Sequence, residues 1–117
     1  MLTKESILAA EDITIETIEI PEWGGEVGIK MMNGEERDEF EKDAFLNKQG
    51  DVEKNFKNLR SKLLVRTLCD EKGVLLFNQK DIDALAKKSA AALDRAFSKA
   101  QTLNRLSKED VEELTKN

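Results

Sequence analysis

The side chains that could do chemistry in this chain are almost all carboxylates. There are 24 Asp and Glu, 19 Lys and Arg, one Cys, and no His or Tyr. Without histidine, the commonest general base and metal ligand is missing. Adjacent acids occur at Glu35/Glu36, Asp38/Glu39, Asp70/Glu71 and Glu112/Glu113, and paired carboxylates divide acid and base roles when their environments differ. In so acidic a chain such pairs arise without catalysis, and solvated helix faces account for them. Asp81-Ile82-Asp83 lacks the glycine and closing glutamate of a calcium loop. Gly24-Gly25 and Gly28 are not followed by the Gly-Lys-Ser/Thr of a phosphate-binding loop. The expectation is a protein that is not an enzyme, with no catalytic residue, no cofactor and no metal site.

Three further features bear on binding or reactivity. Cys69 ends an apolar run beside Leu64, Val65 and Leu68 and is followed by Asp70 and Glu71. Those acids oppose thiolate formation, so a packed thiol is expected rather than a nucleophile. A lone cysteine also excludes an intramolecular disulfide and suits a reducing compartment. Lys54, Lys57, Arg60, Lys62 and Arg66 could line one face of a helix and contact phosphates. A net charge of −5 argues against a general nucleic-acid surface, and such a face also serves to offset the acids. Trp23, the single tryptophan, lies in Pro21–Gly25. It either folds back over its own hairpin or projects as a partner-binding anchor, a role in which Trp is enriched.

The elements that must position these residues begin with Ile13–Met32. Apolar and polar residues alternate on both sides of Pro21–Gly25, the pattern of two half-buried strands with a tight connection. The alternation changes phase, since Ile13 and Ile15 share one parity and Ile18 and Ile20 the other. Either a bulge intervenes or only the second half pairs. Val27, Ile29 and Met31 supply one face of the return strand. Upstream, Thr3 caps a short helical turn through Ala10.

Downstream the pattern is helical. Asn33 with Glu36 reads as a capping box opening a helix with Phe40, Ala44 and Phe45 on one side, which ends before Gly50. Asp51 is a plausible N-cap for a longer helix in which Val52, Phe56, Leu59, Leu63, Leu64 and Leu68 recur at three- and four-residue steps. Lys54, Lys57 and Lys62 lie off that face. Asp70–Gly73 breaks it, and Val74–Phe77 is short, extended and apolar. Asn78 with Asp81 starts a turn carrying Ile82 and Leu85, and Ser89 opens a further helix or marks a bend. Leu93, Ala96, Phe97, Ala100 and Leu103 form the stripe that follows. Ser107 with Asp110 caps a last short helix bearing Val111 and Leu114.

The fold class expected is therefore α+β, mostly α. A β-hairpin at 12–32 precedes about four helices in a helical body at 33–117 with a frayed C-terminus, all in one domain. The chain has 117 residues, 39% apolar and 37% charged, so the core is modest and mostly aliphatic. Charge is uneven: residues 1–60 carry 8 basic and 15 acidic side chains (8 − 15 = −7), whereas residues 61–117 carry 11 and 9 (11 − 9 = +2). With no basic leader before an apolar run and no apolar stretch near ~20 residues, a soluble cytosolic protein is expected.

Several segments together resemble the tail assembly chaperones of long-tailed, siphovirus-type bacteriophages and prophages. They are Pro-Glu-Trp-Gly-Gly at 21–25 and Glu-Arg-Asp-Glu-Phe-Glu at 36–41. Leu63–Phe77 and Asp83–Leu106 complete the match, in order over most of residues 12–107. The resemblance implies a non-enzymatic chaperone that binds the tape-measure protein and recruits major tail-tube subunits in the host cytoplasm, absent from the mature virion. It implies neither nucleic acid nor membrane as partner, and leaves self-association open. Such chaperones are often extended by a −1 ribosomal frameshift, and Thr115-Lys116-Asn117 can be encoded with a slippery heptamer. Two other classes compete: a small nucleic-acid-binding regulator using the basic helix at 54–66, and a carboxylate-dependent metal enzyme.

Overall fold

The computed structural model describes residues 1–45 and 58–106, apart from the Phe45 side chain. The expected caps at Asp51 and Ser107, with Val52, Lys54, Phe56, Lys57, Val111 and Leu114, lie outside the described residues.

Chain order is α1 (Lys4–Ala9), β1 (Ile15–Ile20), β2 (Gly25–Lys30), α2 (Gly34–Phe45), α3 (Leu59–Leu64), β3 (Leu68–Cys69), α4 (Ile82–Ala86) and α5 (Ala90–Leu103). Single 3₁₀ turns at Pro21–Trp23 and Gln79–Asp81 join the hairpin strands and lead into α4. The three strands form an antiparallel sheet in the order β1-β2-β3. The fold is α+β and mostly α.

Local chemistry explains most boundaries. Thr3 accepts from the Ser6 amide and the Ser6 hydroxyl accepts from the Thr3 amide, closing the first turn of α1. Asn33 and Glu36 exchange the same pair of bonds at 2.8 and 2.9 Å ahead of α2; ahead of α4 the Asn78 side chain accepts from the Lys80 amide at 2.8 Å and the Asp81 carboxylate accepts from the Asn78 amide at 2.9 Å. Ser89 is the N-cap of α5, which settles its role as a helix start. Gly24, at φ 77°, takes the left-handed position that ends the Pro21–Trp23 turn.

The phase change in β1 is resolved by register. Ile15 to Ile20 pair without interruption with Lys30 to Gly25, so no bulge intervenes. Residues opposite one another share a face. Ile18 and Ile20 therefore point with Val27 and Ile29 toward the core, while Ile15 points outward with Thr17, Glu19, Glu26 and Gly28. On that outer side the Asp70–Gly73 turn folds against the sheet. A Cβ on Gly73 would lie 2.7 Å from Ile15 Cδ1, so no larger residue fits there unless Ile15 moves.

The helix expected over 52–68 is corrected within the described residues. Asn58 sits at φ 58°, so α3 starts afresh at Leu59 rather than continuing from an upstream cap. After Leu64 the chain turns, and Leu68 and Cys69 form β3 against Ile29 and Gly28. Sheet hydrogen bonding here overrides the helical spacing, because the Lys30 amide donates to Thr67 O at 2.8 Å. The apolar positions keep their burial in the new element. Leu63, Leu64 and Leu68 have no exposed surface, in a core with Ile20, Ile29, Phe40, Ala44, Ala92, Ala96 and Ala100.

One buried polar residue joins the layers. Asn104, at the C-cap of α5, accepts from the Met32 amide through Oδ1 at 2.6 Å and donates to Ala100 O at 2.9 Å. Its own carbonyl accepts from Arg37 at 3.2 Å. The β2–α2 junction is thereby tied to the end of α5. Replacing Asn104 with Leu strands a buried amide, so Asn104→Leu should lower stability by about 1–3 kcal/mol. Denaturant unfolding reads the difference; an unchanged midpoint would show that Met32 finds another acceptor.

Candidate functional site

The hairpin tip is built by Pro21, which fixes the entry to the 3₁₀ turn, and by Glu22 and Trp23 within it. Trp23 folds back: it is partly buried and packs against the core. Its indole Nε1–H is enclosed with no acceptor among the described residues. The Glu22 carboxylate accepts from Arg95 Nε through both oxygens, at 3.0 and 3.1 Å, which pins the tip to α5.

Beside the tip lies an open groove of 560 Å³, and Trp23, Val27, Leu68, Leu76, Phe77 and Leu85 give it an apolar lining. Glu22 and Lys88 stand at its margins, one charge of each sign. Leu76, half exposed, also borders a second cleft on the outer side of the sheet. Neither space gathers a metal-ligand set, and no group of three or more Cys, Asp or Glu among the described residues could hold a metal. Among the same residues, no helix is long and apolar enough to cross a membrane.

The basic helix takes a different place from the one expected. Lys62 and Arg66 are buried, at 8% and 4% exposure, rather than solvated. Arg66 donates to the Asp43 carboxylate and, at 2.7 Å, to Lys62 O, while Lys62 Nζ donates to Asp43 O at 3.3 Å. Arg66 Nε, 4.0 Å from Glu39, is too far for a hydrogen bond. Arg60 pairs with Asp94 on α5. Lys62 and Arg66 are thereby spent on Asp43 within the fold and withdrawn from a phosphate-binding face, while Arg60 stays half exposed. Lys54 and Lys57 lie outside the described residues.

Cys69 is 1% exposed on β3. Burial pushes its thiol up, Lys30 pulls it partly back, and Asp70 adds to the rise. Burial thus outweighs the neighbouring acid named from the sequence, and the thiol is disfavoured as a nucleophile. The acids at Glu35/Glu36 and Asp38/Glu39 lie on α2, where Glu36 caps the helix and meets Lys30 at 3.3 Å. Sequence reading missed Asn104 and the Glu22–Arg95 bond. An Asn directly after a buried helical stripe was the available signal for the first; nothing local marks the second.

Sequence comparison now adds a family. The model of the phage tail assembly chaperone family matches residues 3–117, and the chain belongs to that family. Among solved structures, the bacteriophage HK97 tail assembly chaperone is similar at a TM-score of 0.60 and 18% identity, over 85% of this chain and 94% of that one. At that identity the likeness speaks for a shared fold. No curated protein matches the sequence significantly.

The tip pairing has a pH signature. A hydrogen bond from its own backbone, then Arg95, hold the Glu22 carboxyl below the ordinary glutamate range. A pKa lower in the folded than in the unfolded chain gives stability that is complete above the unfolded value and lost as pH falls through the folded one. In a carboxyl NMR titration Glu22 should therefore titrate low, and Arg95→Ala should move it only part of the way back. An ordinary value in the parent protein would show that the tip is not held to α5 in solution.

Proposed function

We propose that this chain binds the tape-measure protein of a long-tailed phage during tail assembly and brings major tail-tube subunits to that complex. The apolar groove beside Trp23 is the contact for the tape measure. The observation that carries this reading is the groove itself, with Leu76 exposed and Trp23, Val27 and Phe77 partly so above buried Leu68 and Leu85, in a member of a tail assembly chaperone family. A long helical client with an apolar stripe needs such cover before it is sheathed, because exposed apolar surface aggregates. The role is non-enzymatic and belongs to the host cytoplasm, with the chaperone leaving before the virion is complete.

Trp23 is the residue on which this reading is tested. A buried interface Trp typically costs 2 kcal/mol or more when truncated, about thirtyfold in affinity. Trp23→Ala should keep its helical circular dichroism yet capture tape-measure protein at least about tenfold more weakly in co-expression pull-downs. Full capture by a folded Trp23→Ala protein would remove the groove from the interface. Mass spectrometry of the same material also shows whether a frameshifted longer form accompanies the chain.

A further inference from the structure

The cleft on the outer face of the sheet has its own chemistry. It measures 530 Å³ and lies between β1–β2 and the segment that follows β3. Ile15, Cys69 and Leu76 give it an apolar lining, and Gly28 contributes no side chain. Its charged lining residues are Glu26, Asp70 and Glu71, and Glu19 shares the same sheet face opposite Glu26. Among the described residues no cation lines it: Lys30, next on that face, is bound to Glu36, and Lys72 of the turn is not part of the lining.

Several acids elsewhere are paired with cations, whereas Glu5, Glu11, Asp12, Glu35 and Asp38, like the cleft acids, form no ion pair among the described residues. Glu16 meets Lys99, Glu22 meets Arg95, Glu41 meets Arg37, Asp43 meets Arg66 and Asp94 meets Arg60. Among the described residues, Glu19, Glu26, Asp70 and Glu71 form no ion pair; Asp70 instead receives the amides of Lys72 and Val74 at 2.8 and 3.0 Å. That bonding fixes the turn, so one wall of the cleft is held in place, with Glu71 exposed and Asp70 partly so. Gly28 is equally constrained, since a Cβ there would lie 2.8 Å from Cys69 Sγ.

From this juxtaposition we propose that the acid-rimmed cleft docks an apolar segment of a partner protein flanked by Lys or Arg. Charge complementarity selects the occupant, as opposite potentials favour encounter and like charges reject wrong partners. A second copy of this chain fits poorly. Its exposed apolar segment, Leu2, Ile7, Leu8 and Ile13, is interleaved with Glu5, Glu11 and Asp12 against the single Lys4. Nucleic acid and anionic lipid are repelled by the same rim. The proposal rests on the reading of this chain as one that holds other proteins, and adds a second, cationic contact beside the groove of mixed charge at Trp23.

The probes are two synthetic amphipathic helical peptides with the same leucine stripe, one flanked by lysines and the other by glutamates. Titrated against the full chain, the lysine peptide should bind at least about tenfold more tightly, and its advantage should shrink as salt is raised. Glu26→Lys with Glu71→Lys should abolish the preference. Glu35→Lys with Asp38→Lys, an equal charge change on the exposed side of α2, should leave it within about twofold. The neutral pair Glu26→Gln with Glu71→Gln, which adds no repulsion within the fold, should give an intermediate loss. Equal binding of the two peptides, no binding of either, or equal weakening by both lysine pairs would overturn the proposal. Failure here with Trp23-dependent tape-measure capture intact removes the cleft alone, whereas loss of capture with peptide preference intact removes the tape-measure reading.

Discussion

Everything in this fold depends on how closely α5 approaches the rest of the chain. Ala92, Ala96 and Ala100 recur every fourth residue and are fully buried, so one side of the helix has nothing beyond Cβ to hold its neighbours away. Leu93 flanks the stripe, and Phe97 and Leu103 pack at its edges. Against it lie the hairpin and α3, with Ile20, Ile29 and Leu63 fully buried. A larger side chain at Ala96 would force one of these elements outward, since close-packed interiors have no room for an added methylene without strain. The stripe is a sequence of small residues whose meaning lies in what comes near them.

Polar contacts around α5 then set which surfaces remain open. Glu16–Lys99 and Glu22–Arg95 fasten the hairpin along the helix, Arg60–Asp94 fastens α3, and Asn104 fastens the β2–α2 junction. Exposed pairs of this kind contribute little each; their effect is orientation. With the hairpin's inner face spent on α5, its tip and outer face are left bordering the apolar groove and the acid-rimmed cleft. A chaperone of tail assembly is thereby given two neighbouring surfaces of different charge, built from the same few elements.

The electrostatic asymmetry seen along the sequence has a structural sense. The acid-rich N-terminal half supplies the hairpin and α2, and the more basic second half supplies α3 and α5, so many opposite charges meet across element boundaries. Arg66 and Lys62 are spent internally on Asp43. A cation buried in this way is costly to leave unpaired, which makes it a poor candidate for binding a phosphate. The acids left over are those with no neighbour of the other sign, and they include the rim of the outer cleft.

Much of the local structure was legible in the residues themselves. The hairpin with its Pro21–Gly25 tip, the caps at Thr3, Asn33 and Asn78, and the stripe of α5 follow from hydrogen bonds and periodicities that span four or five positions. Trp23 was recognisable as the residue to watch, but that it packs partly buried against the core is visible only in the tertiary structure. The same holds where distant segments compete with local preference. Leu68 has helical spacing yet becomes strand, because β2 offers it a partner. Ile15 faces outward because the register of the hairpin leaves it there, and Gly73 comes up to meet it. Lys62 and Arg66 look like a solvated face until Asp43 arrives from another helix. Short-range bonds settle where elements start, whereas burial of a charge or pairing of a strand depends on a group far away in sequence, and that information exists only once the chain has folded.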